Sequence, residues 1–261
     1  MEFQGKVVAI TGASGGIGRE LCRHFGGEGA AIVAFDISPA ITEFAEELRK
    51  SGIAARSAVF DVGDPDAVAS AFAALPQEFA AVDILINNAG VSHNPALGRT
   101  TPEGWRDDVN ANLNGAYSCA YAVLPGMKAR GKGVIVNIGS VNGSAALGDA
   151  AYSAGKAGMI GLTRSLAQEF GRFGIRVNIV SPGTVRTPIW DERSKRNPEV
   201  LEQLRRWYPL GRIVEPIEVM RAVAFLASDA ASAITGVNLP VDCGLSAGNI
   251  VMARELTLED F

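Results

Sequence analysis

Tyr152 and Lys156 stand four residues apart, with Ser153, Ala154 and Gly155 between them. On a helix that spacing places a phenol and an ammonium one turn apart on one face. The cation can then sit near both the phenol and a bound nucleotide, and the chemistry such a pair serves is proton transfer. The run VIVNIGS ends at Ser140, 12 residues upstream of Tyr152. A second cluster lies near the N-terminus, where Lys6 to Gly18 read KVVAITGASGGIG. The apolar run stops at Thr11 and breaks into Gly12, Gly15, Gly16 and Gly18, with Ser14 among them. Glycine adopts positive φ and has no Cβ, so such a turn can lie against a pyrophosphate whose charge the next helix N-terminus favours. The expected occupant is a dinucleotide.

The spacing T-G-x-x-x-G-x-G differs from the common G-x-G-x-x-G, and a plain tight turn after a strand would look similar, so context must decide. Past a helix whose Ile17, Leu21 and Phe25 face inward, the run AAIVAFD ends at Asp36, 18 residues after Gly18. An acid at that distance accepts hydrogen bonds from ribose hydroxyls and repels a 2′-phosphate. Ile37 follows the acid and Gly15 precedes Gly16, so neither position offers a cation. The expectation is NAD rather than NADP; the plainer alternative is that Asp36 only ends a strand.

The elements that must position these groups recur along the chain. β-rich apolar runs fall at 6–11, 31–35, 54–60, 82–87, 133–139, 175–181 and 237–241, with helical patterns between them. Such alternation implies βαβ units, and runs apolar throughout imply a parallel sheet covered on both faces. The fold class is therefore α/β, a doubly wound seven-stranded parallel sheet in one domain spanning 1–261. The ligand crevice of such a sheet lies past the C-terminal strand ends. Asp64 and Pro65 form an N-cap and first helical position. Residues 184–215 interrupt the alternation, and a segment of that length reads as a lid.

Composition narrows the function class. The 261 residues are 48% hydrophobic and 20% charged, with net charge −4 and a pI near 5.3. No overall field recruits nucleic acid or an anionic membrane. Three separated cysteines and two histidines offer neither a disulfide framework nor a metal site. No window reaches 18 uninterrupted apolar residues and the N-terminus has no basic-then-apolar leader. A cytoplasmic enzyme is expected.

Asn87-Asn88-Ala89-Gly90 follows the fourth run, and Asn110, Asn112 and Asn114 cluster beyond it. With Asp61, Pro182-Gly183 and Val241-Asp242, these motifs in this order resemble the short-chain dehydrogenase/reductase family from about residue 5 to 244. The resemblance implies a Rossmann-fold oxidoreductase in which Tyr152 is the general acid/base. It implies further that Lys156 tunes the phenol and binds nicotinamide ribose, that Ser140 holds the substrate oxygen, and that Asn112 anchors a water-mediated proton path. Asn110 and Asn114 rival Asn112, which Leu113 and Gly115 favour by their offsets. Cofactor contacts implied likewise are Gly12, Ser14, Gly15, Gly16, Ile17 and Gly18; Asp36 and Ile37; Asp61 and Val62 at the adenine; Asn88, Ala89 and Gly90; and Pro182, Gly183, Val185 and Thr187 at the carboxamide. Asn87 and Gly90 could equally serve to shape the turn, and Ser144 is a bystander.

A phenol with a pKa of ~10 is a poor base near neutrality, and lowering it by about 3 units requires about 4 kcal/mol. Lys156 and oxidised nicotinamide are the available charges. The leading expectation is NAD-linked oxidation of a small secondary alcohol, polyol or sugar-like substrate, or reduction of the ketone. A 3-oxoacyl-thioester reductase using NADPH and a non-catalytic nucleotide-binding module are the alternatives. His93 reads as a surface residue near the site mouth, His24 and Cys119 as packing residues, and Cys243 stands where the family often has glycine. Trp190, Trp207 and Tyr208 in the lid are candidates to cover an apolar or ring-shaped alcohol. The nearly neutral charge run there, including Asp191 and Glu192, reads as a solvated flap. The tail 245–261, with apolar Val251, Met252, Leu256, Leu258 and Phe261, is expected to bury against a surface, and the family resemblance implies a homotetramer in which it meets a neighbouring subunit.

Overall fold

A computed structural model describes residues 1–93 and 96–259; the tail residue Phe261 and part of the 92–99 loop fall outside that range, as do the side chains of Ile189, Asp191 and Glu192. In chain order the elements are β1 (Val7–Thr11), α1 (Gly16–Gly27), β2 (Ala31–Asp36), α2 (Ala40–Lys50), β3 (Ala55–Val59), α3 (Pro65–Ala73), α4 (Gln77–Ala80) and β4 (Ile84–Asn87). They continue with α5 (Pro102–Val109), α6 (Gly115–Arg130), β5 (Gly133–Ile138), α7 (Ala150–Phe170), β6 (Ile175–Pro182), α8 (Ile189–Arg196), α9 (Val200–Arg205), α10 (Pro216–Ala227), β7 (Asn238–Val241) and α11 (Ile250–Thr257).

Among the described residues, seven strands form one sheet in the order β3-β2-β1-β4-β5-β6-β7, every pair parallel. The seven apolar runs of the sequence are these seven strands. Side chains alternate faces along a strand, and β1 shows the result. Val8 and Ile10 join one core with Leu21 and Phe25 of α1, Phe44 of α2 and Val223 of α10. Val7 and Ala9 join a second core with Val68 of α3, Val123 of α6 and Leu166 of α7. Both faces are therefore covered, as continuous apolar strands require.

Local chemistry sets the helix starts. Asp64 accepts from the backbone N–H groups of Asp66 and Ala67 with Pro65 in the first turn. Thr101 likewise accepts from Gly104 N–H at 3.1 Å ahead of α5. The strand order reverses between β1 and β4, whose C-terminal ends, Thr11 and Asn87, open the crevice predicted for a doubly wound sheet. A π-helical stretch, Asn110–Asn114, is inserted between α5 and α6.

Candidate functional site

The crevice is built around the turn leaving β1. Gly12 has φ +62°, and a Cβ there would lie 2.9 Å from Ala89 Cα and 3.0 Å from Asn88 Nδ2. Glycine is thus required both by the left-handed backbone and by the approach of the β4 exit. Thr11 Oγ1 accepts from Asn88 N–H at 3.1 Å and Ala89 N–H at 3.0 Å. Asn88 Nδ2 returns bonds to the carbonyls of Thr11 (3.1 Å) and Gly12 (2.9 Å). Four bonds fasten the two strand ends, an assignment for Thr11 that its position as the last residue of the first apolar run foreshadowed.

A cavity of about 870 Å³ extends from this turn. Gly12, Ser14, Gly15, Gly16 and Ile17 border it from β1 and α1, and Asp36 and Ile37 from the end of β2. Asp61 and Val62 border it past β3, Asn88, Ala89 and Gly90 past β4, and Thr187 past β6. Phe60, Val91, Asp107 and Pro188 line it as well, beyond the residues singled out from sequence, and so do His93 and Asn110. Val91 could have been found from its place directly after Asn87-Asn88-Ala89-Gly90, and His93 stands at the site mouth where the sequence placed it. Gly18 does not border the cavity; it packs beneath the turn against Gly12 and Ala13. Pro182, Gly183 and Val185 do not border it either: Gly183 N–H donates to Val241 O at 3.0 Å and Val185 is buried in a bridge with Val214.

Asp36 is tied into the turn. Its Oδ2 accepts from Ser14 N–H and its Oδ1 from Ser38 N–H, both at 2.9 Å, leaving further lone pairs on each oxygen at the cavity edge. Arg19, the cation in the first turns of α1, is occupied: its guanidinium stacks on Phe44 at 4.3 Å and its Nε donates to Ser14 O. Asp61 Oδ1 accepts from Gly63 N–H at 2.8 Å, closing the loop after β3.

Asn112 and Lys156 meet at Gly90, with Tyr152 and Ser140 further along; none of the four is among the residues that border the cavity itself. Ser140 leaves β5 and caps a short 3-10 turn, Val141–Gly143, accepting from Asn142 N–H at 3.2 Å. On α7, Lys156 is 3% exposed; its Nζ donates to Ile138 O at 2.7 Å and lies 5.6 Å from the centre of the Tyr152 ring. Asn112 is fully buried, and its Nδ2 donates to Val91 O (2.6 Å) and Asp108 O (2.8 Å), while its Oδ1 has no partner among the described residues. A methyl on Gly90 would lie 2.7 Å from Asn112 Oδ1 and 3.2 Å from Lys156 Nζ. Gly90 is therefore the gap between these groups. Asn110 and Asn114 instead hydrogen-bond one another at 2.7 Å, and of the three asparagines Asn112 is the one beside Gly90.

The electrostatics of this end are set by burial. Desolvation raises the Tyr152 phenol above its ordinary value and the Asp149 carboxylate adds to that, while a hydrogen bond with Ser140 opposes them. Desolvation lowers Lys156 to about 7. In the chain alone the phenol is thus pushed away from the low value that base catalysis needs. The unused ammonium N–H groups, the orphaned Asn112 Oδ1 and the glycine-lined turn fit a nicotinamide dinucleotide.

Other expectations divide. The Ser144 hydroxyl accepts from Asn238 Nδ2 at 3.4 Å. Asn87 is buried and bonds Ala116 O and Asn137 Oδ1, a packing role. His24 packs on Phe3 and Phe25, and burial pushes the Cys119 thiol up to about 12. Cys243 has φ +52°, the left-handed conformation that favours glycine. Within residues 184–215 the chain forms two short helices, α8 and α9. Tyr208 is no cover for substrate: it is buried, and its hydroxyl accepts from Thr184 N–H at 3.0 Å. Trp190 and Trp207 stack with Arg193 (4.5 Å) and Arg206 (4.8 Å). Among the described residues no cluster of three His, Cys, Asp or Glu could hold a metal ion, and no helix is long and apolar enough to cross a membrane.

A family model described as Enoyl-(Acyl carrier protein) reductase matches residues 12–246. Over 261 residues the chain is 43% identical to "Uncharacterized oxidoreductase C922.06" of Schizosaccharomyces pombe, covering 100% of this chain and 98% of the relative. It superposes with TM-score 0.92 and 49% identity, over 98% of each chain, on an oxidoreductase of the short chain dehydrogenase/reductase family from Burkholderia thailandensis. A gluconate 5-dehydrogenase from Burkholderia cenocepacia J2315, solved with NADP and tartrate, aligns at TM-score 0.88 and 34% identity, over 95% of this chain and 98% of that one. With the parallel sheet, the glycine turn and the Ser140, Tyr152 and Lys156 constellation, these likenesses mean that the chain belongs to the short-chain dehydrogenase/reductase family.

Proposed function

We propose that this oxidoreductase moves hydride between NAD(H) and a small secondary alcohol, polyol or sugar-like compound and the matching ketone, with Tyr152 as general acid/base. The observation that carries this reading is the meeting of Asn112 and Lys156 at Gly90, which borders the dinucleotide-sized cavity, with the centre of the Tyr152 ring 5.6 Å from Lys156 Nζ. NAD, when bound, supplies the hydride acceptor and a positive nicotinamide ring. Ser14, Gly15, Gly16 and Ile17 would hold its pyrophosphate, Asp36 its adenosine ribose, and Lys156 its nicotinamide ribose. Ser140 orients the substrate hydroxyl, and Tyr152 as phenolate takes its proton as the carbonyl forms. Lys156 provides the positive charge that offsets the upward push of burial on the phenol.

NAD rather than NADP rests on the Asp36 carboxylate at the cavity edge and on the engagement of Arg19 with Phe44. The rival within the family is reduction of a 3-oxoacyl thioester with NADPH, favoured by the acyl-carrier description of the matching family model; the NADP in the gluconate 5-dehydrogenase structure bears on the cofactor alone. We read the chain as one catalytic domain with residues 184–215 as substrate lid, acting in the cytoplasm as a homotetramer. Solvent-exposed Met252, Leu256 and Leu258 around α11, and the exposed Tyr117 and Tyr121 pair on α6, are apolar surface that subunit contacts would cover.

A panel of secondary alcohols, polyols and sugars with NAD, run beside ketones and oxoacyl thioesters with NADH and NADPH, tests the reading by nicotinamide absorbance. Turnover of alcohols with NAD supports it. Turnover confined to oxoacyl thioesters with NADPH establishes the rival. Tyr152→Phe should abolish turnover and keep NADH binding; unchanged turnover would sink the assigned role, and a chain that binds NADH without turning over any substrate would be a binding module.

A further inference from the structure

Beside the site, two titratable residues form a pair that the proposed chemistry leaves unused. His93 lies three residues beyond Gly90, and its Nδ1 is 2.8 Å from Asp108 Oδ1, an oxygen that its backbone N–H also approaches at 3.4 Å. The His93 side chain is 62% exposed, whereas Asp108 on α5 is fully buried. Asp108 Oδ2 has no hydrogen-bond partner among the described residues. Burying a carboxylate and leaving one oxygen unmatched is costly, and a histidine at the surface does not need so expensive an anchor to remain there. The carboxylate does fix the ring, holding Nδ1 inward and presenting Nε2 outward.

The pair also continues a line of polar groups from the interior. Asn112 is one turn beyond Asp108 and donates to its carbonyl and to that of Val91. Across the gap at Gly90 stands Lys156, which has three N–H donors and uses one on Ile138 O. Unused donors at the inner end, and unused acceptors on Asn112 Oδ1 and Asp108 Oδ2, are the arrangement that bridging water satisfies. Oxidation creates the demand: each hydride removed from carbon is accompanied by one proton from the substrate hydroxyl. That O–H bond breaks as the Tyr152 O–H bond forms, and the phenolate is regenerated only when the proton reaches solvent.

We infer that the His93–Asp108 pair is the outlet of a water-carried proton path leading from Tyr152 and Lys156 past Asn112 to solvent. Water molecules move the proton to the outer end, where His93 Nε2 takes it up and releases it to buffer while Asp108 positions the ring. The charged and titratable groups around His93 are Asp108 and Asp107 of α5, Asp149 at the start of α7, joined to the neighbouring Ser92, and Lys156 beyond Gly90. The inference rests on the alcohol oxidation proposed above.

His93→Gln and Asp108→Asn keep size and polarity, and each tests the outlet. At low buffer concentration His93→Gln is expected to lower kcat for alcohol oxidation about threefold or more, to raise its solvent isotope effect and to leave the KM for NAD near wild type. Added imidazole should restore kcat in proportion to its concentration. A substrate-independent readout is proton release to an indicator dye on mixing with NAD, which should be slower in both variants than in the wild type. Wild-type kcat at low buffer, a loss that imidazole does not restore, or equal release rates would overturn the outlet. Persistent turnover in Tyr152→Phe would instead overturn the acid/base assignment on which it rests, so the two failures are told apart.

Discussion

The Lys156 ammonium donates to the carbonyl of Ile138 at 2.7 Å, which joins α7 to the end of β5 and holds a cation inside the fold. Burial lowers its pKa from 10.5 to about 7. Below about pH 7 the folded state carries the full cost of the buried charge. Between about 7 and 10.5 the unfolded chain holds a proton that the folded chain has lost, so this residue's contribution to stability rises with pH, by about 5 kcal/mol at most. Denaturant unfolding of the cofactor-free protein between pH 7 and 9.5 should show that rise, and Lys156→Met should flatten it. Equal slopes in the two proteins would refute the assignment.

Asp149 raises the pKa of Tyr152, and its Oδ2 accepts a hydrogen bond from Ser92 Oγ. Asp149→Asn removes the charge, preserves an acceptor for Ser92 and suits the φ of +51° found there. The phenol pKa then falls. Because oxidation needs the phenolate, the acid limb of the kcat/KM profile should move to lower pH, by about half to one unit. A limb that stays in place or moves upward would show that the carboxylate does not act on Tyr152 during turnover.

Asp36 holds Ser14 N–H through one oxygen and Ser38 N–H through the other. Asp36→Ala should raise the KM for NAD about tenfold or more and shift the ratio of kcat/KM for NADPH over NADH upward by a similar factor, since a charged acceptor of ribose hydroxyls and a repulsion of the 2′-phosphate disappear together. Steady-state kinetics with both cofactors checks this. An unchanged ratio would return Asp36 to a strand-ending role.

Gly12→Ala places a methyl 2.9 Å from Ala89 Cα in a left-handed backbone. The expected cost is about 1–3 kcal/mol of stability. Nucleotide binding should weaken with it, because the same displacement parts the Thr11 and Asn88 bonds that shape the turn. Calorimetric titration with NADH alongside thermal unfolding would register both losses, and a variant that binds normally would show that the turn tolerates the separation.

Short-range pattern was enough for the sheet, the glycine turn and the placing of Tyr152 above Lys156, because strand alternation, positive φ and helical spacing are properties of neighbouring residues. The seven runs became seven parallel strands, and Asp64 capped α3 as its sequence required. What the sequence left open depended on residues far apart in the chain. Three asparagines competed until the π-helical stretch turned Asn112 toward Gly90 and paired Asn110 with Asn114. Tyr208, legible only as one of three lid aromatics, proved to be buried against Thr184. His93 is exposed as its sequence reading expected, but its tie to the buried Asp108 of α5 was not legible there. Composition and periodicity determined which elements form and which strand ends carry chemistry. Only the tertiary packing decided which side chains meet there, since the partner of each polar group comes from another element whose approach no local pattern encodes.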